Sequence, residues 1–212
     1  SAHKDKGQSK YIYILERKSM SSQHSYIPDS TLQQTASYNH ARYGYTVKIF
    51  SEVSSKSQQD KPTCCEGWNV QDVLEHATMV MTMVDQVDGQ SPNEPTGSDP
   101  AALAEQHAQW IEGRWNKENL ETPVQTPFGE MTVDDFLGII WLDTLTHAWD
   151  IADASEIDHC IPQAMAEEAY EVMKPREKGL RGPGRFGPAV ETTSEDAVER
   201  YIAFTGRTSV RG

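Results

Sequence analysis

The chain is poor in cysteine and in positive charge, and it has no apolar run long enough to cross a bilayer. Its three cysteines, two of them adjacent at Cys64 and Cys65, cannot form a disulfide framework, which points to a reducing, cytoplasmic setting. Lys and Arg number 19 against 32 Asp and Glu, a formal net charge of −13, which argues against nucleic acid or an anionic membrane surface as partner. The longest apolar run, Phe136 to Leu142, is far shorter than the roughly 20 residues of a spanning helix, so no membrane segment is expected. Also missing are GxGxxG, a GxxxxGK phosphate loop, HExxH and any paired CxxC. Those absences remove the common nucleotide, zincin and zinc-finger signals, and leave Asp, His and Cys to be weighed by geometry.

What is present centres on WLDTLTHAWD, Trp141 to Asp150. At about 100° per residue, Phe136, Ile140, Asp143, His147, Asp150, Ile151 and Ala154 fall on one stripe of a helix. Two carboxylates and an imidazole therefore interrupt an apolar face. The opposite side carries Trp141, Leu142, Leu145 and Trp149, so the helix is apolar all round and is expected to be the most buried of the fold. An unpaired buried charge is costly, and the i, i+4 spacing aims Asp143 and His147 at one point. Either a buried ion pair that orients the helix or a metal site satisfies that pattern. Asp150, one turn further, suits an orienting acceptor or a general base equally well.

The remaining chain reads as further helices between polar or Gly/Pro-rich connections. At 212 residues it accommodates one sizeable core, expected over 20–212 behind a Lys- and Ser-rich tail, Ser1 to Ser19, with Met20 as a candidate natural start. One helix is expected from Pro28 to about Val53, capped by Asp29 or Ser30, with Gly44 as its weak point. A second runs from Asn69 to about Val87, with His76 at the edge of its apolar face beside Val80 and Met83, placed either for a core hydrogen bond or for a ligand role. Asp99-Pro100 opens a third, to about Leu120. Glu121 to Met131 reads as a loop or small hairpin, and Thr132 with Asp135 as a capping box for the central helix. Pro162 opens a helix to about Lys174; Leu180 to Glu191, LRGPGRFGPAVE, is an irregular loop; a last helix spans about Thr193 to Thr205. The fold class is all-α: a four-helix bundle with additional C-terminal helices and a Gly/Pro/Arg loop, and room for a site between facing helices.

Four stretches carry a family resemblance: PTCCEGWNVQDVLEHAT (Pro62 to Thr78), DTLTHAWDIADA (Asp143 to Ala154), GRFGPAVE (Gly184 to Glu191) and YIAFTGR (Tyr201 to Arg207). In this order they resemble the DinB-like metalloenzymes, and more closely the branch related to mycothiol-dependent maleylpyruvate isomerase. The resemblance implies a four-helix bundle holding one divalent metal, zinc foremost and nickel as an alternative, on His76, Asp143 and His147. Many relatives use three histidines, and the isomerase has Glu where Asp143 stands. Cys64 occupies a place where relatives often have Pro.

The expected function is a metal-dependent enzyme acting on a small molecule: a transferase or isomerase using a low-molecular-weight thiol, or a hydrolase. Three protein ligands leave a coordination position open for a thiol or a water. Arg181 and Arg185 are candidates to hold a carboxylate of the thiol or substrate, or are simply solvated. A non-catalytic metal-binding or small-molecule-binding bundle is the alternative from another class. A homodimer is compatible with either.

Overall fold

The computed structural model describes residues 26–90, 96–183 and 185–211. In chain order they form α1 (Asp29–Gln34), α2 (Tyr38–Ser55), α3 (Val70–Gln86), α4 (Pro100–Arg114), α5 (Lys117–Leu120), β1 (Pro123–Thr126), β2 (Gly129–Thr132), α6 (Val133–Ala154), α7 (Gln163–Met173), a 3-10 turn (Lys174–Arg176), α8 (Glu177–Leu180) and α9 (Ala197–Phe204). The tail Ser1 to Ser19 and Met20 lie outside the described residues.

Four long helices make the bundle. α2 packs on α4 and α6, and α3 packs on the same two, so α2 and α3 stand on opposite corners. α7 and α9 pack on each other and add a C-terminal layer. The all-α, four-helix expectation holds. Among the described residues the one sheet is the two-stranded β1–β2 hairpin, and no helix is long and apolar enough to cross a membrane.

α6 is the most enclosed of the four long helices because its sequence is apolar on both sides: Phe136, Leu137, Trp141, Leu145 and Ile151 are all fully buried. Removing each such side chain from water contributes about 1.5–3 kcal/mol. Trp141 Nε1 donates to Gly138 O at 3.1 Å, and the Arg42 guanidinium lies 4.2 Å from the Trp141 ring while pairing with Glu168 at 2.5 Å. α2 and α6 can approach closely at Gly138, where a Cβ would come within 2.9 Å of the Asn39 amide.

The boundaries depart from the sequence reading where short polar side chains compete for the backbone. The helix expected from Pro28 to Val53 is two helices. Thr35 is extended, and Ser37 caps α2 by accepting the His40 N–H at 3.0 Å. Neither Asp29 nor Ser30 caps α1, which begins after Pro28 without a side-chain bond. Gly44 sits inside an unbroken α2, because packing against α4 outweighs glycine's weak propensity. The third helix stops at Arg114 rather than near Leu120, since Trp115 is extended and buried with its Nε1 donating to Asp88 Oδ2 at 2.9 Å.

The Glu121 to Met131 stretch does fold as a hairpin, with Thr126 paired to Gly129. Thr132 accepts the Asp135 N–H at 3.0 Å as expected, whereas a reciprocal capping box forms at α3 between Asn69 and Asp72. The last helix starts at Ala197, where Asp196 accepts the Glu199 N–H at 2.9 Å, and not near Thr193. It is followed by Gly206 at φ +84, where a Cβ would press to 2.8 Å from the Pro188 carbonyl oxygen.

Candidate metal centre

Helix spacing brings Asp143 and His147 to one face of α6, and the packing of α3 on α6 carries His76 to the same point. His147 Nε2 stands 3.5 Å from Asp143 Oδ1, and His76 Nε2 stands 3.6 Å from Asp143 Oδ2. One ligand atom from each of the three residues lies within 4.8 Å of the other two. The two imidazoles meet edge to face, with ring centroids 4.8 Å apart. A third of the Asp143 side chain is open to solvent, yet its Oδ2 is enclosed and has no hydrogen-bond partner. Separations of this size are at or beyond the limit of a hydrogen bond. They match the ligand–ligand edge of a tetrahedral ion, about 3.4 Å for bonds of about 2.1 Å.

The turn before α3 supplies a cover. Thr63 N–H donates to Trp68 O at 3.0 Å, Trp68 N–H donates to Cys65 O at 2.9 Å, and Gly67 takes φ +77, a value its lack of Cβ makes easy. That tight turn lays the Trp68 ring 5.3 Å from His76 and nearly parallel to His147 at 6.3 Å. It also points both adjacent cysteines at α6.

Asp150 receives them. Its Oδ1 accepts from Cys64 at 3.2 Å and its Oδ2 from Cys65 at 3.3 Å. His147 Nδ1 is 2.9 Å from Oδ2, and Arg207 grips both oxygens, Nε to Oδ1 at 2.6 Å and Nη2 to Oδ2 at 3.0 Å. Because Asp150 is an ionised acceptor, Nδ1 of His147 keeps its proton, and Nε2, which faces Asp143, is the nitrogen that becomes a ligand once the imidazolium loses its other proton.

Burial alone would raise the Asp150 carboxyl, but the Arg207 charge and then His147 hold it well below the usual carboxylate range. Burial likewise opposes ionisation of Asp143, and the imidazoles of His147 and His76 overturn that. Burial disfavours imidazolium at His147, yet Asp143, Asp150 and Cys65 together push its proton affinity well above the ordinary value. The thiol pair divides: Cys64 is pushed up by its neighbour Cys65, burial and Asp150, while Cys65 is drawn down by Cys64, His147 and Arg207 against the opposing effects of burial and Asp150. Both thiols are free.

The other two singled-out residues lie elsewhere. Arg181 bonds Glu177, the Gly187 carbonyl and Phe204 O, and so ties its loop to the end of α9, while Arg185 bonds Gly179 O at 2.7 Å and braces the loop itself. The arginine that reaches the cluster is Arg207. It, the cysteine pair and Trp68 carried no assigned role in the sequence reading. Their neighbouring motif residues were the available signal, but no spacing rule links positions 57 residues apart.

Two uncharacterized proteins from two strains of Mycobacterium tuberculosis are each 28% identical to the chain over 156 residues, covering 69% of it and 84% of the relative. No solved structure matches the chain. Residues 50–152, which hold His76, Asp143, His147 and Asp150, match the family model described as the mycothiol maleylpyruvate isomerase N-terminal domain, the family to which the motifs of this chain pointed.

Proposed function

We propose that His76, Asp143 and His147 hold one divalent metal, zinc foremost and nickel as the alternative, in an enzyme that uses a low-molecular-weight thiol to transform a small molecule as a transferase or isomerase. The observation that carries this reading is the convergence of one donor atom from each of the three residues within 4.8 Å, with N···O separations of 3.5 and 3.6 Å that fit the ligand–ligand edge of a tetrahedral ion. The enclosed, unpartnered Oδ2 of Asp143 fits the same donor set. The match to a family described by mycothiol supports the thiol.

When bound, the metal supplies an open coordination position at which a thiol loses its proton near neutral pH. The protein's own residues prepare that position. Asp150 fixes the His147 ring by accepting from Nδ1, which presents Nε2 in one orientation. Arg207 and the two thiols take up the rest of the Asp150 lone pairs, so this carboxylate serves as a positioning group rather than as a base. Trp68 lies beside both imidazoles, and the partly exposed side chains of His76 and Asp143 mark the approach.

Elemental analysis of protein purified without added metal, alongside His147→Ala, tests the metal. Near one zinc or nickel per chain in wild type and loss in the variant is the expected result; equal content in both proteins contradicts it. Cobalt-loaded protein titrated with mycothiol tests the thiol: a sulfur-to-cobalt charge-transfer band is expected, and an unchanged spectrum removes the thiol from the proposal.

A further inference from the structure

The three candidate ligands occupy one end of a seam between α3 and α6, and the seam continues beyond them. On α3, His76, Met79, Met83 and Val87 share one stripe; on α6, Phe136, Ile140, Asp143 and His147 share another. His76 meets His147 at one end, while Val87 and Phe136 line a common cavity at the other, so the helices run in opposite directions along the seam. Met83 and Phe136 are each seven residues from a ligand on their own helix, which places them about 10 Å along it from the donor cluster.

At that end lies a cavity of about 500 Å³, closed on one side by the hairpin. It falls within the roughly 300–1,000 Å³ of small-molecule sites. Its apolar walls are Met79, Met83, Val87, Pro127 and Phe136, and the remaining lining residues are Thr and Gln. No lining side chain is charged, in a chain whose net charge is −13.

Exposure of apolar side chains follows the same path. Of the six large hydrophobic residues exposed among the described residues, Trp68, Met79 and Phe128 lie on or beside this seam. Met79 is 62% exposed and Phe128 57%, with the Phe128 ring 6.4 Å from Phe136 on the cavity floor. A concentrated apolar strip beside a formed cavity marks a ligand site rather than incidental surface.

We infer that this groove binds the uncharged, largely apolar body of a small molecule whose polar head reaches His76, Asp143 and His147. The substrate class is then an elongated amphiphile with about 10 Å between head and body, not a compact polyanion, for which the groove offers no cation. This inference rests on the proposed metal centre for the head and on the groove alone for the body.

Two measurements separate those parts. In the first, linear alkyl hydroxamates of increasing length are titrated calorimetrically into zinc-loaded protein. Affinity is expected to tighten about three- to fourfold per methylene until the chain fills the groove. In Met79→Gln/Met83→Gln the length dependence should flatten, with acetohydroxamate affinity and zinc content unchanged. Length-independent affinity in wild type overturns the inference. In the second, metal-free protein is titrated with the neutral dye N-phenyl-1-naphthylamine, with saturable binding expected in wild type and loss in the double variant. Dye binding that is absent, or equal in the two proteins, overturns the groove whatever the metal content. Dye binding that behaves as expected in protein unable to take up zinc sinks the metal reading and keeps the apolar groove.

Discussion

Arg207 and Asp150 form a two-pronged pair, Nε to Oδ1 at 2.6 Å and Nη2 to Oδ2 at 3.0 Å, with the Asp150 side chain wholly buried. The pair ties the segment after α9 to the last turns of α6. Through Oδ2 it also governs the ring that faces Asp143, because His147 Nδ1 bonds the same oxygen.

Arg207→Ala leaves a buried carboxylate without its counter-charge and should cost about 3–5 kcal/mol of stability. Arg207→Lys should cost less but not be neutral, because a single ammonium cannot reproduce two fork-like bonds. Urea denaturation of the three metal-free proteins measures this. A loss below about 1 kcal/mol for Arg207→Ala, the value typical of exposed pairs, would show that the pair is solvated in practice.

Asp143→Asn preserves shape and removes the anion. If Asp143 is a ligand, affinity for zinc at pH 7 should fall by at least about tenfold, since even changes outside the ligand set cost such sites 10–100-fold. Competition against a chelating dye gives the number. Equal affinities would mean that the ion is held by the histidines with another partner.

The pH dependence of the metal-free protein should carry the mark of His147. Its folded proton affinity is raised above the ordinary 6.5, so the stability contributed by the charged imidazole is fully present below pH 6.5 and is lost as pH rises through the raised value. The stability difference between wild type and His147→Gln should therefore shrink from pH 6 toward alkaline pH. Zinc affinity should move the opposite way, rising with pH as the competing proton leaves. Urea midpoints and zinc titrations at matched pH values test both slopes, and a stability difference that grows with pH would contradict the assigned cause.

Two helical glycines should respond with opposite signs. At Gly44 a Cβ meets only Ile111 Cγ2 at 3.7 Å, ordinary contact, so Gly44→Ala should stabilise by up to about 1 kcal/mol through helix propensity. At Gly138 the Cβ would meet Asn39 Nδ2 at 2.9 Å, and Asn39 is tied to Asp134 and Arg42. There crowding should outweigh propensity and cost about 1–3 kcal/mol. Thermal midpoints of the two variants decide it; the same sign for both would refute the account.

The amino-acid sequence by itself determined the four long helices and the faces they bury, because a 3.6-residue period is a local property. It determined the alignment of Asp143 with His147 for the same reason, and placed His76 at the edge of its own apolar face. Tertiary structure decided what those residues meet. The break at Thr35 to Ser37 follows from a side chain taking a backbone N–H, a choice that several nearby Ser and Thr residues could equally have offered. Likewise, nothing local distinguishes Arg207, which crosses to Asp150, from Arg181, which reaches the end of α9, or Arg185, which closes its own loop. Partners 57 and 85 residues apart are selected only when the bundle closes, since the geometry that satisfies a buried carboxylate does not exist before the helices pack.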